Sequence, residues 1–196
     1  MAIYKNARTK KKQQIIDAFW TLYKKSNYEN VMDVKEVTAL AKINRSTFYY
    51  YYQGTHEILD EIIATLKTAF VAIFSSPLRR NGDYKEFYKE LNDLFRTYKE
   101  YLVPLVCESR HPGFAKWYRD NQREMFKDDI GLDHYRTDKR KNQIINIALS
   151  GIIEEQVQTF GYGELSVDES FDLEFGLLNG GLFNTLKEKF NIIAHQ

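Results

Sequence analysis

Residues 33–57 read DVKEVTALAKINRSTFYYYYQGTHE, and this stretch decides the fold. Its first half predicts a short helix, because Asp33 is a favourable N-cap and Glu36 completes a capping-box pattern. The apolar positions recur at helical spacing and give that helix one packing face: Val34, Val37, Leu40 and Ala41. Ile43 follows in a turn, and Asn44 is a favourable cap for a second helix. Two short helices joined by a tight turn are therefore predicted.

The first turn of the second helix is polar, and the rest of that helix is aromatic. Arg45, Ser46 and Thr47 carry side chains of the kinds that bond to base edges and phosphates. Phe48 is predicted to face the core, while Tyr49 and its neighbours place phenols on the surface. This is the layout of a helix-turn-helix, whose second helix enters the major groove with its N-terminus first. The spacing taken alone also fits another pair of packed helices.

Residues 47–52 read TFYYYY, and Glu57 and Leu59 follow after a short loop. These residues resemble the TetR family of transcriptional regulators, in which the recognition helix ends in a Thr-hydrophobic-Tyr-aromatic-aromatic-Phe run. In that family a short loop follows, and a long helix then opens with an acid and a leucine. Upstream, residues 15–19 (IIDAF) look like the first helix of the family. The resemblance covers roughly residues 8–60 and implies a DNA-binding head joined to a regulatory body.

The sequence departs from the pattern of the family at three places. Lys42 stands where the family usually has glycine in the turn between the two helices. Asn27 replaces the glycine before Tyr28, and asparagine tolerates the left-handed backbone conformation. Thr55 replaces a lysine that commonly touches phosphate at the start of the fourth helix. Lys42 and Thr55 leave open a second interpretation, a helical adaptor that acts through protein contacts and no longer reads DNA.

The resemblance and the residue chemistry together single out a DNA-binding set. Arg45 has the forked guanidinium that can bond guanine at two points. Lys35, early in the preceding helix, is placed to meet the phosphate backbone. Thr55 and His56 flank the start of the next helix, whose free amides favour a phosphate. The predicted contacts are Lys35, Asn44, Arg45, Ser46, Thr47, Tyr49, Tyr51, Thr55 and His56.

The charge is divided unevenly along the chain. Through residue 56, ten lysines and arginines stand against four acids, a net charge of +6, whereas the remainder carries −5. A basic head on an acidic body is typical of a DNA-binding module joined to a regulatory domain. We therefore predict an all-α protein with two domains. Residues 1–56 form a three-helix head with a helix-turn-helix, and residues 57–196 form a helical bundle for dimerisation and effector binding.

Other classes of function lack their signatures in this sequence. There is no glycine-rich phosphate loop, no H-E-x-x-H and no G-x-S-x-G. Cys107 is the only cysteine, and the four histidines have no metal-ligand spacing. No apolar run approaches the roughly 20 residues that cross a bilayer. We expect a cytoplasmic protein that is not an enzyme and uses no metal or cofactor; an unrecognised active site in the body is the third alternative.

The body is rich in aromatic residues on its middle helices. One long helix is predicted from after Gly54 to about residue 76. Four more are predicted over about 84–101, 114–127, 139–160 and 166–193. Most of the aromatic residues are expected to be core. The resemblance implies that this region also binds a small effector, apolar or aromatic, and the residues proposed to line its pocket are Phe70, Phe74, Phe95, Tyr98 and Trp117.

The last two predicted helices carry apolar residues with glycines among them. Glycine is costly inside a helix, by up to about 1 kcal/mol against alanine, and close approach between helices is a reason to keep it. We predict a two-fold homodimer through these helices that binds a near-palindromic operator and represses transcription until an effector binds. The residues concerned are Ile144, Ile145, Ala148, Leu149, Gly151, Ile152, Ile153, Gly176, Leu177, Leu178, Gly180, Gly181, Leu182, Phe183 and Leu186.

Overall fold

The structure, a computed structural model, describes residues 10–29, 32–77, 84–129, 139–163, 165–166, 168–173 and 176. At 84, 126–129, 140–142, 144, 145 and 148 it describes the backbone alone. The chain divides into two compact units, Met1–Val71 and Ala72–Gln196. The first unit keeps the predicted head together and adds most of the helix that follows it. An end of the functional head at residue 56 stays a prediction.

Among the described residues, seven α-helices and one π-helical turn have defined bounds, and residues 168–173 are helical as well, which confirms the prediction of an all-α fold. None of the helices in this part of the chain is long and apolar enough to cross a membrane. The elements are α1 Lys10–Lys25, α2 Val34–Ala41, α3 Arg45–Tyr51, α4 His56–Phe74, α5 Tyr84–Leu102, the π-helical turn Val103–Cys107, α6 Pro112–Asp129 and α7 Lys139–Tyr162.

The core of the first unit forms where the predicted apolar faces meet. α1 packs against α2, and α2 packs against α3. Ile15, Val37 and Phe48 are fully buried there, together with Ile58 and Ile62 of α4. Burying each such side chain contributes about 1.5–3 kcal/mol, which is how three short helices become stable together. The prediction that Phe48 faces the core is confirmed.

Both predicted caps of the helix-turn-helix form. The Asp33 carboxylate accepts a hydrogen bond of 2.8 Å from the Lys35 backbone N–H, and the Asn44 side-chain oxygen accepts one of 2.7 Å from the Thr47 N–H. These bonds satisfy amide groups that lack partners in the first turn of a helix. Because α3 has only seven residues, its cap carries an unusually large part of its local stability.

Both departures from the family glycines fall at left-handed positions. Lys42 has φ 55°, and its N–H donates to the Ala39 carbonyl to close α2. Asn27 has φ 56°, which confirms that its conformation is the one asparagine tolerates, and Tyr28 follows with φ 64°. A residue with a Cβ pays about 1–2 kcal/mol for this conformation. The turns therefore keep their shape without glycine, at the expense of some stability.

In the second unit, α5 leads directly into the π-helical turn. α5 runs to Leu102 with non-helical angles at Tyr98, and Pro104 lies in the wider turn that follows. Proline has no N–H to donate, and its ring clashes with the carbonyl four residues earlier in a regular helix, so the α-helical pattern does not continue through it. The bonds here span five residues, as in the one from the Glu108 N–H to the Val103 carbonyl. Pro104, Leu105 and Val106 are all buried. The regular helix therefore ends before Pro104, and the chain continues as a π-helix.

A chain of hydrogen-bonded side chains joins α5 and α7 to residues 168–173. The Ser170 hydroxyl, fully buried, lies 2.6 Å from the Tyr88 hydroxyl and 2.6 Å from the Glu155 carboxylate. Ser166 and Glu169 form a capping box, with the Ser166 N–H donating to Glu169 at 2.9 Å. The remainder of the last predicted helix, with Leu177, Leu178, Gly180, Gly181, Leu182, Phe183 and Leu186, lies outside the described residues.

Candidate nucleic-acid interface

The exposed side of α3 presents a mixed basic and aromatic surface. Arg45 and Ser46 in its first turn are exposed, and one turn later Tyr49 is 56% exposed. Tyr50, beside it, is 80% exposed and packs edge-on against Tyr51 at 4.8 Å between ring centroids. These large aromatic side chains expose apolar surface to solvent. Such a surface suits stacking or packing against bases and sugars.

Asn44 and Ser46, two of the predicted DNA contacts, form hydrogen bonds within the cap of α3. The Asn44 side-chain oxygen accepts from the Thr47 N–H, and it also accepts a 2.8 Å hydrogen bond from the Ser46 hydroxyl. The Ser46 proton is therefore already engaged, which leaves its oxygen to act as an acceptor. Arg45, between these residues, is left as the strongest donor at the start of the helix.

Two cations of the predicted set are available to a partner. Lys35 and Arg45 are exposed on consecutive helices, and among the described residues neither side chain makes an ion pair. Lys12, from the basic cluster at the start of α1, is different. Its ammonium lies 3.0 Å from the Glu61 carboxylate, so that charge is used inside the unit.

The two residues at the start of α4 have different environments. Thr55 is buried, and its hydroxyl donates a 2.7 Å hydrogen bond to the Met32 carbonyl. This bond ties the loop before α2 to the start of α4. His56 is exposed in the first turn of α4, where backbone amides face solvent. Its position is suitable for an anion, whereas the Thr55 side chain is committed to the fold.

The proposed effector residues are spread over both units. Phe70 is fully buried in the first unit. In the second unit Phe95 is fully buried between Tyr118 and Phe160, at centroid distances of 5.8 and 5.0 Å. The remaining three are Phe74, which is buried, Tyr98 at the break in α5, and Trp117, which stacks on Phe114 at 5.7 Å.

Sequence reasoning missed a buried polar pair beside this aromatic cluster. Gln122 is fully buried and donates a 2.6 Å hydrogen bond to the Tyr118 hydroxyl. Within the described part of the chain its Oε1 has no hydrogen-bond partner. The four-residue spacing of Tyr118 and Gln122 places both on one helix face, but nothing in the sequence marks that face as buried.

The Cys107 thiol is held in its neutral form. Burial raises the pKa of the Cys107 thiol to about 12, and the thiol donates to the Val157 carbonyl at 3.5 Å. A thiol with such a pKa is almost entirely protonated at neutral pH and is a poor nucleophile. Among the described residues, no three His, Cys, Asp or Glu side chains gather as metal ligands.

Comparison with known proteins identifies the architecture. No family model matches the sequence, and no curated protein matches it. The crystal structure of a TetR transcriptional regulator from Streptococcus agalactiae 2603V is similar, with 20% identity and a TM-score of 0.60 over 86% of this chain and 93% of that one. A TetR-like transcriptional regulator from Rhodococcus sp. RHA1 gives 18% identity and a TM-score of 0.58 over 88% and 96%. The chain therefore has the fold of the TetR-family transcriptional regulators.

Proposed function

We propose that this protein is a DNA-binding transcriptional regulator that reads its operator through α3. The observation that carries the proposal is the capped first turn of α3, where Arg45 is exposed and makes no ion pair with another described residue. Phe48 anchors the opposite side of the helix in the core. Lys35 and His56 are exposed as well and would meet phosphates beside α3, whereas Thr55 is buried and is removed from the contact set.

The experiment is a binding titration with DNA flanking the gene of this protein and with random DNA. Arg45→Ala is expected to cost about 1–3 kcal/mol and to relax preference at one base pair per half-site. Lys35→Ala is expected to weaken binding to both DNAs alike and to flatten the salt dependence. Lys25→Ala, which removes an equal charge from the end of α1, is the control. If neither Lys35→Ala nor Arg45→Ala changed the affinity for DNA, the result would contradict the proposal and favour the helical adaptor.

We propose further that the protein binds DNA as a homodimer, with α7 in the interface. Leu149, Ile152 and Ile153, which the sequence placed in that interface, are buried in the core of their own chain. The other side of α7 is open: Ile147 is 68% exposed, and a Cβ at Gly151 would meet nothing within 4 Å. A second copy would cover this side with the same side of its own α7.

Sedimentation at micromolar protein tests the dimer. Ile147→Asp places a charge in the proposed contact and is expected to shift the equilibrium toward monomer. Leu40→Asp, on an apolar side chain of the head that is 45% exposed, is the matched control and should leave the oligomeric state unchanged. If the wild type is a monomer, the homodimer proposal is wrong. If the Ile147→Asp variant is still a dimer, the interface does not include this side of α7.

The effector that we propose is a small apolar or aromatic molecule with one hydrogen-bond donor. The aromatic core around Phe95 supports the apolar part, and the Oε1 of Gln122 supports the donor, because a buried carbonyl without a partner costs about 1–3 kcal/mol. Bound effector would favour a state of the dimer that misfits DNA, which makes the protein a repressor.

The effector proposal has an optical test. The chain has two tryptophans, of which Trp20 is buried in the head and Trp117 lies in the body. In a Trp20→Phe protein, indole and benzoate can be screened for a change in Trp117 emission and for release of DNA. A compound that binds should lose affinity on Gln122→Leu, which keeps the volume and removes the acceptor. If indole and benzoate change neither the Trp117 emission nor the binding of DNA, the result would contradict an aromatic effector of this kind.

A further inference from the structure

Three side chains from three helical elements meet on α4 of the first unit. The Tyr52 hydroxyl donates a 2.7 Å hydrogen bond to one oxygen of the Glu61 carboxylate. The Lys12 ammonium donates a 3.0 Å bond to the other oxygen, and it lies 5.2 Å from the centre of the Tyr52 ring. The Lys12 and Glu61 side chains are only 24% and 27% exposed. We call Lys12, Tyr52 and Glu61 the α4 clamp.

The clamp acts at the end of the recognition helix. Tyr52 is the C-cap residue of α3, is 4% exposed and lies 6.0 Å from the ring of Phe48. The related pattern has phenylalanine at this position, which has no hydroxyl to donate. Here the hydroxyl is present and its acceptor is a carboxylate, and such charge-assisted bonds are about twice as strong as neutral ones.

Two anchors then fix the orientation of α3. Phe48 fixes how deeply the helix lies against the core, and Tyr52 fixes where its C-terminal end sits on α4. A helix of seven residues is about 10 Å long, so a shift of about 1 Å at one end tilts it by about 6°. Paired hydrogen bonds to a base tolerate little displacement, because useful donor–acceptor distances span only about 0.5 Å.

We propose that Glu61 is a positioning residue for sequence recognition. It holds the C-terminal end of α3 and the first turn of α1 on α4, and so sets the angle at which Arg45 meets the DNA. This inference rests on the proposed function. Phosphate contacts tolerate small changes in angle better than base contacts do, so the clamp should govern the preference for operator over random DNA.

The test measures the ratio of the affinities for operator and random DNA. Glu61→Ala and Tyr52→Phe should each lower this ratio by about tenfold, the factor that corresponds to one strong hydrogen bond. Glu61→Gln keeps an acceptor for the Tyr52 hydroxyl and should keep most of the ratio. The double variant with Glu61→Ala and Tyr52→Phe should lose no more than Glu61→Ala alone, because both changes remove the same bond.

Asp60→Asn is the matched control, since it removes an equal charge from the next residue of α4, which is exposed. If the wild type discriminates and both Glu61→Ala and Tyr52→Phe keep its ratio within about twofold, the inference is overturned and the proposed function stands. The inference is also overturned if, in these variants, the affinities for operator and for random DNA fall by the same factor and the folded fraction measured by circular dichroism falls with them. A wild type that does not prefer operator over random DNA overturns the proposed function, and the inference with it.

Discussion

Replacement of Asn44 separates the stability of α3 from its contact with DNA. In Asn44→Ala the Thr47 N–H and the Ser46 hydroxyl lose the acceptor that they reach at 2.7 and 2.8 Å. Loss of an N-cap costs about 0.5–2 kcal/mol, and the two donors here place the expected loss at about 1–2 kcal/mol. In a chain of this size that corresponds to a fall in Tm of about 2–4 °C per kcal/mol.

The companion variant Asn44→Asp keeps an oxygen for both donors and adds a negative charge. That charge suits the N-terminus of a helix, so the free energy of unfolding should stay within about 0.5 kcal/mol of the wild type or rise. Facing DNA, the same charge repels phosphate and should lower the affinity for operator and random DNA alike. The two variants therefore change stability and binding independently.

Calorimetry and DNA titration of both variants give the result. Ser46→Ala is the control, because it removes only the second donor and should change stability by less than about 0.5 kcal/mol. The reasoning fails if Asn44→Ala unfolds at the wild-type temperature, since α3 would then not depend on its cap. It fails separately if Asn44→Asp binds DNA as the wild type does, since the start of α3 would then not face phosphate.

Three further predictions concern the second unit. Gly161→Ala should lower the free energy of unfolding in urea by about 1–3 kcal/mol, because its Cβ would lie 2.7 Å from the Cys107 sulfur, and the loss should shrink in a Cys107→Ala background. Gly163→Ala, at φ +72° with nothing within 4 Å, should cost about 1 kcal/mol from backbone strain alone and be indifferent to Cys107. Because burial raises the pKa of Cys107 from 9.0 to about 12, the neutral thiol contributes stability in full below pH 9 and loses it as the pH rises toward 12. At pH 8 a disulfide reagent should accordingly label the folded protein far more slowly than the protein in urea, and equal rates would contradict the raised pKa of this half-buried thiol.

Local signals made the head predictable. Asp33 and Asn44 cap their helices through bonds that reach two or three residues along the chain, and such bonds can be read directly from spacing. Thr55 could not be placed in this way. Its partner is the Met32 carbonyl, 23 residues away, and only the folded chain brings the two together. The same position carries a lysine in the related pattern, so its exchange for threonine marks a contact inside the protein.

The α4 clamp was invisible for a similar reason. Tyr52 and Glu61 are nine residues apart, and Lys12 and Glu61 are 49 apart. Within α4, Glu61 is followed directly by the apolar residues Ile62 and Ile63. A carboxylate beside such residues looks solvated in sequence. The aromatic run showed that Tyr52 ends α3, but it did not show that its hydroxyl needed an acceptor.

In α7 the helical spacing of apolar residues predicts that one face is buried but does not predict which surface buries it. Leu149, Ile152 and Ile153 recur at helical spacing, which predicts a buried face without saying whose surface buries it. The structure places that face in the core of the same chain, so it is already occupied. The second copy that we propose would use the open side, where Ile147 is exposed and Gly151 leaves room for close approach. A Cβ at Gly151 would meet nothing within 4 Å in its own chain, so the homodimer that we propose would give a physical reason to keep a glycine in this helix.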